Sequence, residues 1–154
     1  MALNVVTGIG PRVGSSFVMQ QCKENKLEVN GTKFLGGILP KEGNPKGYYD
    51  LFPWDVSTLQ HGIAKVWPIQ LHSISAPVNR MVILKRRDLT EQINSCLRQI
   101  EREPFDIKAT PEEIITMSDY KLNKWLSKNK VDHCSYYTED LDSSIDEIIK
   151  FLGD

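Results

Sequence analysis

The sequence predicts an α/β fold, a three-layer sandwich with a mainly parallel sheet, in a single domain over residues 1–154. Three observations carry that prediction. Short apolar, β-branched runs alternate along the chain with segments whose apolar residues recur at helical spacing. The first such run passes through a glycine-rich turn directly into an amphipathic segment. Finally, 154 residues with only three scattered cysteines suit a chain that builds its core by burial, without cross-links.

The elements follow in order. Leu3-Asn4-Val5-Val6-Thr7 reads as a buried strand, and Ser15 to Lys26 as a helix with Phe17, Val18, Met19 and Cys22 on its apolar side. A long irregular stretch, Gly31 to Pro53, is punctuated by glycines, prolines and Asn44-Pro45; connections of that length usually have a functional reason. Asp55 can cap a helix reaching about Ile63, and Ala64 to Leu71 suits a strand broken or ended near Pro68. Val78 to Lys85 is a clear strand.

Asp88 or Thr90 starts a helix whose Leu89, Ile93, Leu97 and Ile100 fall on one face. Thr110-Pro111-Glu112-Glu113 is a strong helix start: Thr as cap, Pro at the first position, Glu three residues after the cap. That helix runs to about Ser127 with Ile114, Met117, Leu122 and Trp125 expected inside. Val131 to Tyr137 reads as a short strand. Asp142 or Ser143 caps a last helix, with Ile145, Ile148, Ile149 and Leu152 inward and Gly153 at its end.

Bulk composition narrows the function classes. A formal charge of −1 argues against general nucleic-acid or anionic-membrane binding. No apolar stretch reaches the ~20 residues of a membrane helix, and the N-terminus has no secretory pattern. Cys22, Cys96 and Cys134 are odd in number, lack zinc spacing and read as reduced thiols, so a cytoplasmic protein is expected.

The chemistry concentrates in Gly8-Ile9-Gly10-Pro11-Arg12-Val13-Gly14-Ser15-Ser16-Phe17. Strand, glycine-rich turn and helix aim backbone N–H groups and a positive dipole end at an anion. ATP- and GTP-binding loops place Lys after the last glycine and a hydroxyl on magnesium. Here Ser15 follows Gly14, and Arg12 is the loop's cation, so the segment reads as an anion cradle of another kind. A tight structural turn is the plain alternative. A second anion site is read at Arg86-Arg87-Asp88, where a strand ends and Ser95 follows Arg87 by eight residues.

These motifs together resemble the sulfotransferases that use 3′-phosphoadenosine-5′-phosphosulfate. Pro11-Arg12-Val13-Gly14-Ser15-Ser16 is similar to the family's loop, and Arg87 with Ser95 matches its Arg and Ser on the nucleotide 3′-phosphate. Tyr137-Thr138-Glu139-Asp140-Leu141 and Phe151-Leu152-Gly153 look like its closing motifs, and Asn44 to Asp50 resembles a segment of small microbial members. The resemblance implies a P-loop NTPase-like, sulfotransferase-like fold. It also implies a donor held through Pro11, Arg12, Val13, Gly14, Ser15, Ser16, Phe17, Arg87 and Ser95, and no metal.

By the same resemblance Arg12 steadies charge on the leaving oxygen, Asp50 deprotonates the acceptor, and Lys65 assists. His61 and His72 are rival bases. Val13 departs from the usual Ser, and Trp67 stands where longer members carry a catalytic His. Tyr48, Tyr49, Phe52 and Trp54 either line an acceptor pocket or seal the core. The acceptor is unknown; the short chain points to a small one, or to one bound across an open surface or a homodimer interface. A kinase on the same fold and a non-catalytic nucleotide binder are the two other classes.

Overall fold

The computed structural model describes residues 2–31, 53–102 and 109–153. Four strands, β1 (Leu3–Gly8), β2 (Gly62–Lys65), β3 (Val78–Lys85) and β4 (Asp132–Tyr137), form one sheet in the order β2-β1-β3-β4. All three pairings are parallel, so the sheet is wholly rather than mainly parallel among the described residues. The helices are α1 (Ser15–Glu24), α2 (Leu89–Arg102), α3 (Pro111–Lys128) and α4 (Leu141–Gly153).

Strand alternation divides the core in two. Val6, Val82 and Leu84 meet α1 and α4 through Val18, Met19, Cys22, Ile148 and Leu152. Val5, Met81 and Ile83 meet the other layer through Leu71, Leu122 and half-buried Trp125. Helical layers on both faces are what an all-parallel sheet requires, since neither face can be left to water. Asn4 is the polar exception in β1. Its Nδ2 donates to Leu152 O at 2.8 Å and its Oδ1 accepts from Arg80 N at 3.1 Å, tying the end of α4 to the sheet.

Several expectations are corrected. The segment after Pro53 forms a 3₁₀ turn, Pro53–Thr58, rather than a helix to Ile63, and β2 begins at Gly62. β2 also stops at Lys65, because Pro68 has no N–H for a ladder and opens the 3₁₀ turn Pro68–Ser73. Leu89 and Leu97, on the apolar face read from the spacing, are 54% and 47% exposed, and Met117, expected inside, is also exposed. α2 instead buries Gln92, Ser95 and Cys96. The Thr110-Pro111 start behaves as predicted: Thr110 Oγ1 accepts from Glu113 N at 3.2 Å.

Candidate functional site

The order β2-β1-β3-β4 reverses direction between β1 and β3, since β2 lies on one side of β1 and β3 on the other. In open α/β sheets the crevice outside the carboxyl ends of such strands is where ligands bind. The loop after β1 and the turn after β3 are the two walls of that crevice, and they hold Arg12 and Arg86-Arg87.

The loop is held by contacts from three directions. Ile9 N donates to Leu84 O at 2.9 Å, anchoring its start to β3. Gln92, fully buried on α2, donates through Nε2 to Ile9 O at 3.0 Å and Pro11 O at 2.8 Å. Thr138 Oγ1 donates to Val13 O at 2.6 Å and lies 3.3 Å from Lys85 O, joining the loop's end to the end of β3. Gly10 and Gly14 have φ of 84° and 91°, a region open to glycine. Gly14 also sits so close to α4 that a Cβ would lie 2.5 Å from Leu141 Cδ1.

Arg12 has φ 64°, a left-handed conformation a side-chain-bearing residue adopts at a cost. Its Nε donates to Ser95 Oγ at 3.0 Å, and Ser95 is buried on α2. α1 then starts at Ser15 with Gly14 as a cap that has no side chain and no acid in its first turn. Its positive end therefore meets no carboxylate from its own first turn.

Each sequence-predicted residue can now be placed. Pro11, Arg12, Gly14, Ser15 and Ser16 line the loop and helix start; Ser15 is buried and Ser16 half-buried. Val13 offers the site only its backbone, because its side chain lies wholly inside the α1–α4 core. Phe17 packs half-buried against that same core. Lys65, only 4% exposed at the end of β2, donates through Nζ to Ser16 Oγ at 3.3 Å and lies 5.7 Å from the Trp67 ring centre. It is a buried group beside the loop rather than a surface lysine at a strand end.

Ser95 is brought to Arg12, while the Arg87 guanidinium is engaged elsewhere. Arg87 Nη2 donates to Asp140 Oδ2 at 2.8 Å, and its guanidinium lies 4.4 Å from the Tyr137 ring centre. The hydrogen bond and charge of Asp140 hold Arg87 even more firmly protonated than an ordinary arginine. Glu139 accepts from Arg87 N at 3.0 Å and from Asp88 N at 3.0 Å. Desolvation works against its ionisation, but those backbone N–H groups prevail and keep its carboxyl below the usual range. Asp50, the segment Asn44 to Asp50, Tyr48, Tyr49, Phe52 and the Trp54 side chain lie outside the described residues. His61 is exposed and pairs with Glu28 at 2.6 Å; His72 is exposed.

Local sequence patterns do not single out Gln92, and they name Arg86 and Thr138 only as members of motifs, without the burial of Arg86 Nε and Nη1 or the bond from Thr138 to Val13. Gln92 sits in a helix whose apolar periodicity points elsewhere, and Thr138 acts on Val13 across 125 positions of chain. Among the described residues no three His, Cys, Asp or Glu side chains cluster as a metal site would. Compared with models of known protein families and with curated proteins, the chain matches none. Its placement therefore stops at an α/β fold with a four-stranded parallel sheet flanked by helices.

Proposed function

We propose that the chain is a sulfotransferase of the P-loop NTPase-like, sulfotransferase-like class. It moves a sulfuryl group from 3′-phosphoadenosine-5′-phosphosulfate to a hydroxyl or amine of an acceptor. One observation carries this: a loop cation, Arg12, held over Ser95 at 3.0 Å in a glycine turn at the switch point, with Ser15 where ATP loops require Lys. A donor phosphorylated at both ends of its ribose needs anion sites on both walls of the crevice. The β1 loop serves the 5′ end, and Arg87 with Ser95 serves the 3′-phosphate.

In the transfer, the acceptor oxygen or nitrogen forms a bond to sulfur while the bond from sulfur to the bridging oxygen of the 5′-phosphate breaks. The acceptor proton passes to Asp50. The electron pair stays on the bridging oxygen, and adenosine 3′,5′-bisphosphate leaves. Arg12 and Lys65 meet the charge that builds on that oxygen; an arginine gives fixed charge and two-pronged hydrogen bonding but no proton. The contact of Lys65 Nζ with Ser16 Oγ at 3.3 Å supports that role.

Calorimetric titration with adenosine 3′,5′-bisphosphate, set beside ATP with and without magnesium, tests the donor class. Metal-independent binding of the bisphosphate is expected, weakened about 10- to 100-fold by Arg87→Ala, the range for losing a charged hydrogen bond, and little changed by Lys85→Ala. Asp50→Asn should retain that binding and lose transfer. A preference for magnesium–ATP would instead make the chain a kinase, and bisphosphate binding without transfer to any acceptor a nucleotide binder.

A further inference from the structure

Two consecutive arginines follow β3, and the fold treats them oppositely. Arg87 is exposed and engaged by Asp140 and Tyr137. Lys85 lies over the same Tyr137 ring, at 5.1 Å, so the alternation of extended chain turns Arg86 to the other side. There its Nε and Nη1 are sealed from water, and neither has a hydrogen-bond partner among the described residues. Buried guanidinium N–H groups without acceptors are costly, and native proteins pair nearly all such groups.

The surroundings say what the missing acceptor would be. Arg86 is rooted beside the glycine loop, because Thr138 ties the preceding carbonyl, Lys85 O, to Val13 O. Its charge and that of Arg12 both reach Cys96 on α2, where they oppose the rise that burial imposes on the thiol. Both charges thus bear on one residue of α2, the neighbour of the Ser95 that already holds Arg12. Glu139, whose charge also bears on Arg86, is bonded to the backbone N–H groups of Arg87 and Asp88.

We infer that Arg86 is a further binding residue of the switch-point site, giving its N–H groups to an oxygen of a phosphate or sulfate group seated between the glycine loop and α2. This rests on the function proposed above only in taking the ligand to be an oxyanion. Arg86 then stands in the free protein as a stability cost kept for binding.

The test uses the full chain, with inorganic sulfate, inorganic phosphate and adenosine 3′,5′-bisphosphate as separate probes. Arg86→Met should melt no lower than wild type without anion, lose the anion-induced rise in Tm, and bind the bisphosphate about 10- to 100-fold more weakly. In the wild-type chain, the Arg86 Nε–Hε resonance, identified by its loss in Arg86→Lys, should shift on titration with each anion that binds. That second readout does not depend on Arg86→Met folding. An Arg86 resonance unmoved by anions that raise Tm, or wild-type affinity in Arg86→Met, would overturn the inference and leave the donor assignment standing. Arg86-dependent binding of sulfate or phosphate, with no gain for the bisphosphate, would keep Arg86 and overturn the nucleotide donor. A wild-type chain that responds to none of the three anions overturns both.

Discussion

Val13 illustrates how far a single residue can be read. In sequence it is a lost hydroxyl in a phosphate cradle; in the fold its side chain is core and its carbonyl is a rivet to Thr138. The cradle therefore depends on backbone geometry, which puts the burden on glycine. Gly14 combines a φ of 91° with the close approach of Leu141, itself buried. Gly14→Ala should cost about 1–3 kcal/mol, from backbone strain and a displaced Leu141, read as a lower urea midpoint with unchanged slope. Arg12 was legible as the loop's cation from its position, whereas Lys65 entered only through the family resemblance. Their partners, Ser95 and Ser16, were named as site residues, but the pairings span 83 and 49 positions and no local signal gives them.

At the scale of elements, α2 shows where periodicity misleads. Leu89, Ile93, Leu97 and Ile100 trace an apolar stripe, yet Leu89 and Leu97 face outward and Gln92, Ser95 and Cys96 face in. The loop explains the choice. Its half-buried carbonyls at Ile9 and Pro11 need donors, and the buried Gln92 amide supplies them. Gln92→Leu keeps the helix and its volume but strands both carbonyls. It should cost about 1–3 kcal/mol and speed hydrogen exchange selectively at the loop amides, with β4 and α4 unchanged. Equal protection throughout would mean the clamp is dispensable. The segment Thr138–Asp140 is the counterpart on the other wall: three consecutive residues hold the loop, the turn after β3 and the Arg87 side chain.

For the whole molecule, the core between the sheet and the α1–α4 layer sets the alkaline limit. Burial raises the Cys22 thiol from 9.0 to about 12, and raises Tyr136 from 10.0 to about 12. A group whose folded pKa lies above its unfolded value stabilises fully below the unfolded value and loses that contribution as pH rises through the folded one. Stability should thus decline from about pH 9 toward 12, and Cys22→Ala should flatten that limb while lowering the plateau. Glu139 acts with the opposite sign: its folded pKa is depressed, so its contribution is present above the ordinary carboxylate range and lost as acid protonates it. A Tm profile against pH reads both limbs. By itself the sequence determined the strand Val78–Lys85, the start of α3 at Thr110-Pro111, the glycine turn between β1 and α1, and the α/β class. Each of these rests on signals within a few residues: apolar runs, caps and turn glycines. Only the tertiary structure decided the strand order, and with it the switch point between β1 and β3, the inward face of α2, the bond from Arg12 to Ser95 and the burial of Arg86 Nε and Nη1. Those depend on which distant groups need partners once water has been excluded, a condition that exists only when the layers have closed on the sheet.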